Sequence, residues 1–316
     1  MVSEFPTLEE LGTGGKRLLS RVLTRLETHA GDAETAEFLD RVCNAKGGCV
    51  LGLTGPPGVG KSSLTDALIR TCRAEEKRVA VLAVDPSSSV TGGALLGDRT
   101  RLKTDPTDEA VFIRSMAARN RLGGLSDHSV AAIAVLRAVC DQVIVETVGI
   151  GQSEGDLRQV ADTVVLCIQP GSGDSLQFMK AGIMELPDVV AVTKADMGAL
   201  ARRAASDVAG ALSLGAVPRS SWNVPVVEVS SQTGSGVADL VASADAHFDT
   251  LVEKGLDETR QKQHVSWFKD MVRTEFGLAG LDMAERKGGE DWLLLARRRP
   301  FSSFHSFASL IRQRLF

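Results

Sequence analysis

The sequence contains no tyrosine, and only 3 tryptophans and 11 phenylalanines among 316 residues. So small an aromatic supply leaves little from which to build the base-stacking platforms of single-stranded nucleic-acid binders. Positive charge is not in excess either. Lys and Arg number 36 against 40 Asp and Glu, a formal net charge of -4, which argues against a broad nucleic-acid surface. No apolar run approaches the roughly 20 residues that cross a bilayer, and the opening MVSEFPTLEE lacks the basic-then-apolar order of a secretory leader. The expectation is a cytoplasmic protein with neither a membrane nor a nucleic acid as partner. Cysteine is scarce and scattered: Cys43, Cys49, Cys72, Cys140 and Cys167 form no C-x-x-C pair. That speaks against a zinc site or a disulfide framework and for small buried apolar side chains. The five histidines show no ligand spacing.

What is present suits a sizeable core, with 43% hydrophobic and 24% charged residues. Leu18, Leu19, Val22, Leu23 and Leu26 fall on one face of a helix over Lys16–Glu27. From Cys49 the rhythm changes to short β-branched runs alternating with helical stretches: CVLGLTG, RVAVLAVD, QVIVETVG, TVVLCIQP, VVAVTKAD and VPVVEVSS. Runs apolar on both faces belong in a parallel sheet covered by helices, such as the crossover expected over Ser129–Val139. The fold class read from this is α/β, a doubly wound, mainly parallel sheet with N-terminal and C-terminal helical extensions. It divides into residues 1–46, 47–254 and 255–316. In the last part Val265, Phe268, Val272 and Phe276 form one helical stripe. Phe301, Phe304, Phe307, Ala308 and Ile311 form another behind Pro300. Both stripes suit a core or a dimer surface equally, and Arg297–Arg299 reads as a solvated helix end.

The strongest chemical signal is GPPGVGKSS, comprising Gly55, Pro56, Pro57, Gly58, Val59, Gly60, Lys61, Ser62 and Ser63. It follows a strand and precedes a helix, as a G-x-x-x-x-G-K-S phosphate loop must. Glycines let backbone N–H groups turn inward toward phosphate at the positive end of a helix. Lys61 would reach the β- and γ-phosphates and Ser62 would ligate magnesium. Further on, Thr193-Lys194-Ala195-Asp196 is a variant of N-K-x-D. A carboxylate at Asp196 accepts from both guanine N1–H and the exocyclic amine, a pair that adenine does not offer. Lys194 would lie over the ring. The loop with Ser230, Ser231 and Gln232 follows a strand at the place where backbone N–H groups meet the guanine carbonyl.

Acidic candidates for the magnesium region are Asp85, Asp98 and Glu146. Glu146 begins E-T-V-G where a D-x-x-G switch is expected; being longer than aspartate, it can act through a water. Ile150 follows Gly149 where small GTPases carry a glutamine. An isoleucine cannot orient the attacking water.

The series GPPGVGKSSL, AVDPSSSVTGGALLGDRTRL, FIRSMAARNRLGGLS, ETVGIGQSE, QPGSGDSLQFMKAGIMELPD and TKAD resembles the MeaB–ArgK family of P-loop GTPases, over roughly Leu11–Leu240. The resemblance implies a GTP/GDP- and Mg2+-binding chaperone of an adenosylcobalamin-dependent acyl-CoA mutase, gating cofactor delivery and reactivation. It further implies a homodimer formed through C-terminal helices and a cobalamin adenosyltransferase as an additional partner. By the same resemblance Asp85, Asp98 and Glu146 match the family's magnesium-region acids, and Gly149, Gln152 and Glu154 its second switch. Asp174 and Lys180 fall in a third switch that senses the partner. GDLRQVAD after QSE, Asn120 and Phe178 depart from the family pattern at switch surfaces. With Ile150 in place, intrinsic hydrolysis is expected to be slow, with Lys61 on the phosphates and Gln152 or Lys180 completing the machinery on partner docking. Two other readings share the phosphate loop: a small-molecule kinase of the arginine/ornithine transport type, and a metal-delivery GTPase.

Overall fold

A computed structural model of the chain describes residues 5–28, 31–86, 104–118, 125–147, 154–171, 185–215, 222–286 and 291–315. The chain folds into two compact units. One gathers Met1–Gly48, Asp127–Val139 and Val252–Phe316; the other comprises Cys49–Ser126 and Cys140–Leu251.

The second unit is built on a seven-stranded sheet: β1 Cys49–Thr54, β2 Val79–Pro86, β3 Val111–Ala118, β4 Gln142–Thr147, β5 Thr163–Ile168, β6 Val189–Val192 and β7 Val226–Glu228. All described pairings are parallel, in the order β3-β2-β4-β1-β5-β6-β7. Every residue of β1, β4, β5 and β6 is buried, as strands covered on both faces must be. Leu64, Leu68, Ile69 and Cys72 of helix Lys61–Ala74 pack on Leu51, Leu53, Val81 and Ile144 of the sheet. The six runs expected from sequence are six of these strands. The seventh, β3, was missed because Arg114 and Ser115 interrupt its apolar pattern on an edge strand.

At the N-terminal edge of this sheet a device recurs. Asp141, Asp162 and Asp188 each stand one residue before a strand and accept the amide at the start of a neighbour: Arg78 N at 2.7 Å, Val50 N at 2.9 Å and Val164 N at 2.9 Å. Amides that would otherwise end the ladder unpaired are satisfied by a charged acceptor.

In the first unit the two terminal extensions come together with the helix over Asp127–Val139. Asp40, in helix Ala33–Cys43, accepts from Phe301 N at 3.0 Å and Ser302 N at 3.1 Å and so caps the last helix, Pro300–Leu315. The two aromatic stripes face one another: Phe268, Val272, Phe307 and Ile311 form one buried cluster, with Val265, Phe276 and Phe304 packed against it. The stripes are therefore core, and their buried members offer no dimer surface. Arg297–Arg299 is a solvated helix end, with Arg298 and Arg299 exposed; within it Arg297 donates to Gln261 at 2.8 Å and Arg298 pairs with Asp257 at 2.8 Å. All five cysteines are buried, as expected of small apolar side chains.

Candidate functional site

The carboxyl ends of β1, β4, β6 and β7 carry most of the sequence-predicted residues, where a parallel sheet places its ligand crevice. The loop after β1 turns on Gly55, Gly58 and Gly60, with φ of 140°, 75° and 100°, all left-handed values that favour glycine. At Gly55 a Cβ would also stand 2.3 Å from the Cys167 carbonyl oxygen, so the loop hugs β5 more closely than any side chain allows. Gly60 then passes the chain into helix Lys61–Ala74. Burial pushes the neighbouring Cys167 thiol up to about 12, so it stays a neutral packing group beside the loop.

Two charged side chains converge on this loop from within and from β4. Lys61 is buried and donates to the Gly55 carbonyl at 2.6 Å and the Pro56 carbonyl at 3.2 Å. Glu146, 9% exposed, stands beside Leu53 of β1 in the strand register. Its Oε1 accepts from the Ser62 hydroxyl at 2.8 Å and its Oε2 from the Thr65 hydroxyl at 3.0 Å. The acid that begins E-T-V-G is thus hydrogen-bonded to the first turn of the phosphate-loop helix. Next to it, the buried Thr147 hydroxyl has no hydrogen-bond partner among the described residues.

The T-K-A-D motif is fastened to the same loop. Thr193, 3% exposed, donates its hydroxyl to the Val59 carbonyl at 2.7 Å and the Ile168 carbonyl at 3.1 Å. Lys194 adopts φ 55° and extends its ammonium to the Gly58 carbonyl at 3.1 Å and to Gln169 Oε1 at 2.5 Å. Asp196 is exposed, and its Oδ1 accepts from the Ser230 hydroxyl at 2.7 Å. Ser231 and Gln232 follow in a turn closed by Gly234 N on the Ser230 carbonyl at 2.8 Å.

Asp85 lies at the end of β2, one residue beyond Val84, which pairs with Thr147, so its backbone shares the edge occupied by Glu146. Glu154 opens the short helix Glu154–Leu157. Asp98, Gly149, Ile150, Gln152, Asp174 and Lys180 lie outside the described residues. Among the described residues no cluster of three or more His, Cys, Asp or Glu forms a metal site, and no helix is long and apolar enough to cross a membrane. Two contacts escaped sequence reading. Gln169 carried no signal beyond being the first residue after β5. Thr65 carried one: it falls three residues after Ser62, on the same face of a helix.

Residues 19–279 match the model of the family described as methylmalonyl Co-A mutase-associated GTPase MeaB. A protein of Pyrococcus abyssi named as a GTPase is 41% identical over 295 residues, covering 92% of this chain and 89% of its own. The mitochondrial methylmalonic aciduria type A homolog of mouse is 34% identical over 227 residues, 71% of this chain and 55% of the mouse protein. Among solved structures, the LAO/AO transport system kinase superposes over 96% of both chains with a TM-score of 0.70 at 25% identity. The hydrogenase maturation factor HypB of Archaeoglobus fulgidus covers 68% of this chain and 97% of its own at a TM-score of 0.51 and 17% identity, a likeness of fold alone.

Proposed function

The chain belongs to the MeaB family of P-loop GTPases, and from that membership we propose that it is a GTP-driven switch chaperoning an adenosylcobalamin-dependent acyl-CoA mutase. Nucleotide binding and hydrolysis gate delivery of intact cofactor and removal of damaged cofactor. The observation that carries this reading is the family match itself. It spans residues 19–279, a range that includes the phosphate loop, Glu146 and TKAD, and the family is described by its association with methylmalonyl-CoA mutase.

In this reading the backbone N–H groups of Gly55–Gly60 cradle the phosphates and Lys61 exchanges its two loop carbonyls for phosphate oxygens. Asp196 reads the guanine edge, braced by Ser230, while the Lys194 stem covers the ring and Ser231 and Gln232 present backbone amides to the base. The donors beside the loop fit magnesium, because Ser62 and Glu146 offer hard oxygen atoms and a buried negative charge at one point. By their match to the family's motifs, Asp85 and Asp98 are the further acids proposed for magnesium. When bound, the ion neutralises phosphate charge as it develops. Glu146, tied to the phosphate-loop helix and followed by Gly149, Gln152 and Glu154 of the second switch, couples occupancy of the nucleotide to a partner-facing surface. Gln152, or Lys180 with Asp174 in the third switch, completes hydrolysis when the mutase docks.

The protein works as a cytoplasmic homodimer with a cobalamin adenosyltransferase as a further partner. Exposed Leu278 (74%) and Leu294 (62%) in residues 255–316 support a contact there outside the buried stripes. A second reading, a kinase of the arginine/ornithine transport type, is favoured by the solved neighbour described as a transport system kinase.

GTP turnover by the purified chain, alone and with a purified cobalamin-dependent acyl-CoA mutase, separates these. Slow basal turnover accelerated many-fold by the mutase is expected. Turnover indifferent to methylmalonyl-, isobutyryl- and hydroxyisobutyryl-CoA mutases sinks the chaperone role. Phosphate found on arginine or ornithine, in place of free phosphate, establishes the kinase.

A further inference from the structure

We infer that Thr65 is a positioning residue of this GTPase: its hydroxyl holds the Glu146 carboxylate in the orientation from which the acid serves the magnesium site. The inference rests on the placement of Glu146 at that site given above.

The geometry leads to it directly. Thr65 is fully buried, 0% exposed, on helix Lys61–Ala74, three residues after Ser62. Its hydroxyl donates to Glu146 Oε2 at 3.0 Å while the Ser62 hydroxyl donates to Oε1 at 2.8 Å. Two donors one helical turn apart therefore take one carboxylate oxygen each and fix both the direction and the plane of the group. A glutamate needs such help more than an aspartate does, because its extra methylene adds a rotor between the strand and the acid. Thr65 suits the task because its hydroxyl is fully buried, out of competition with water, and its β-branch leaves it few χ1 rotamers in a helix. A buried hydroxyl that merely filled space would bond back to its own helix or be replaced by valine without consequence. This one instead reaches across to the acid of a different element, 81 residues away.

Ser62 is a proposed magnesium ligand, so its hydroxyl is drawn toward the ion when nucleotide binds. Thr65 then becomes the anchor that keeps Glu146 in place. Groups that orient a metal-linked side chain in this way typically contribute about 10–100-fold in metal affinity.

The test uses the full chain carrying Thr65→Val, which keeps shape and removes the hydroxyl, and Thr65→Ser, which keeps the hydroxyl. Affinity for a non-hydrolysable GTP analogue is measured as a function of Mg2+ concentration, and again in EDTA. Thr65→Val is expected to need about tenfold more Mg2+ for half-maximal tightening, with its Mg2+-free affinity unchanged and Thr65→Ser restoring the wild-type titration. A Mg2+ titration of Thr65→Val superimposable on wild type overturns the inference. So does a failure of Thr65→Ser to restore it, which would assign the effect to packing of the methyl. Glu146→Gln tells the two levels apart. If it too leaves the Mg2+ dependence untouched, Glu146 is misplaced and the role of Thr65 falls with it; if it alone abolishes the dependence, only Thr65 falls.

Discussion

The Lys194 ammonium lies 3.1 Å from the Gly58 carbonyl, so the T-K-A-D motif touches the phosphate loop across 136 residues of sequence. Together with Thr193 on the Val59 carbonyl, this brackets the T-K-A-D segment to the phosphate loop. Removing the charge while keeping the stem, Lys194→Met, is expected to lower GDP affinity about tenfold, the order of one charge-assisted hydrogen bond. Asp196→Asn exchanges one acceptor for a donor. It is expected to weaken GTP binding and to strengthen binding of XTP, whose base offers a carbonyl where guanine has its amine. Calorimetric titration of both nucleotides checks this, and unchanged preference would remove Asp196 from the base site.

Gly55→Ala meets two obstacles at once, a φ of 140° and a contact of 2.3 Å with the Cys167 carbonyl oxygen. A loss of about 2 kcal/mol or more in urea unfolding is expected, with nucleotide binding abolished at temperatures where the variant remains folded. A variant as stable as wild type would show that the loop does not adopt this path.

Asp40→Ala removes both side-chain acceptors at the start of the last helix, from Phe301 N and Ser302 N. The expected cost is about 1–2 kcal/mol, that of a lost helix cap. It should be confined to the unit holding Trp267 and Trp292 and spare the unit holding Trp222. Tryptophan fluorescence melts of single-tryptophan variants test this, and equal loss by all three reporters would count against it.

His264 is buried, and its Nδ1 lies 2.9 Å from the Arg297 carbonyl, which fixes Nδ1 as the donor. Its Nε2 has no hydrogen-bond partner among the described residues. Burial, aided by the Arg137 and Arg260 guanidiniums, pushes its pKa down from 6.5 to about 4, although the Arg297 carbonyl pulls the other way. The unfolded chain then binds the proton more readily, so the contribution is complete above pH 6.5 and lost as pH falls toward 4. At about 1.4 kcal/mol per pH unit the loss is on the order of 3 kcal/mol. Unfolding free energies from pH 7 to 4 should slope accordingly, and His264→Gln should remove one proton's worth of that slope. An identical slope in the variant would refute the assignment.

Legibility followed locality. The strand Cys49–Thr54, the phosphate loop and the helix behind it form one contiguous segment, and glycines at fixed spacing fix its path. Strand β3 escaped because an edge strand need not be apolar on both faces, and Arg114 and Ser115 break its alternation. The aromatic stripes were visible as stripes, but their occupant was not. A helical face looks the same in sequence whether its own chain or a second copy covers it, and here Phe268 and Phe307 meet within the chain, ring centroids 6.0 Å apart.

Residue type and short spacing carried the local chemistry: a phosphate loop, the T-K-A-D run ending at Asp196, an acid at Glu146 where an aspartate is usual, and a run of strands for a parallel sheet. These depend on residue type and short spacing, which the chain carries in one dimension. It took the folded chain to show that Thr65 and Ser62 share the two oxygens of Glu146, that Lys194 rests on Gly58, and that Asp40 caps a helix 261 residues away. Such bonds form between groups that only strand order and helix packing bring within hydrogen-bond reach. That order is selected by burial of the whole core and is written in no single stretch of the chain.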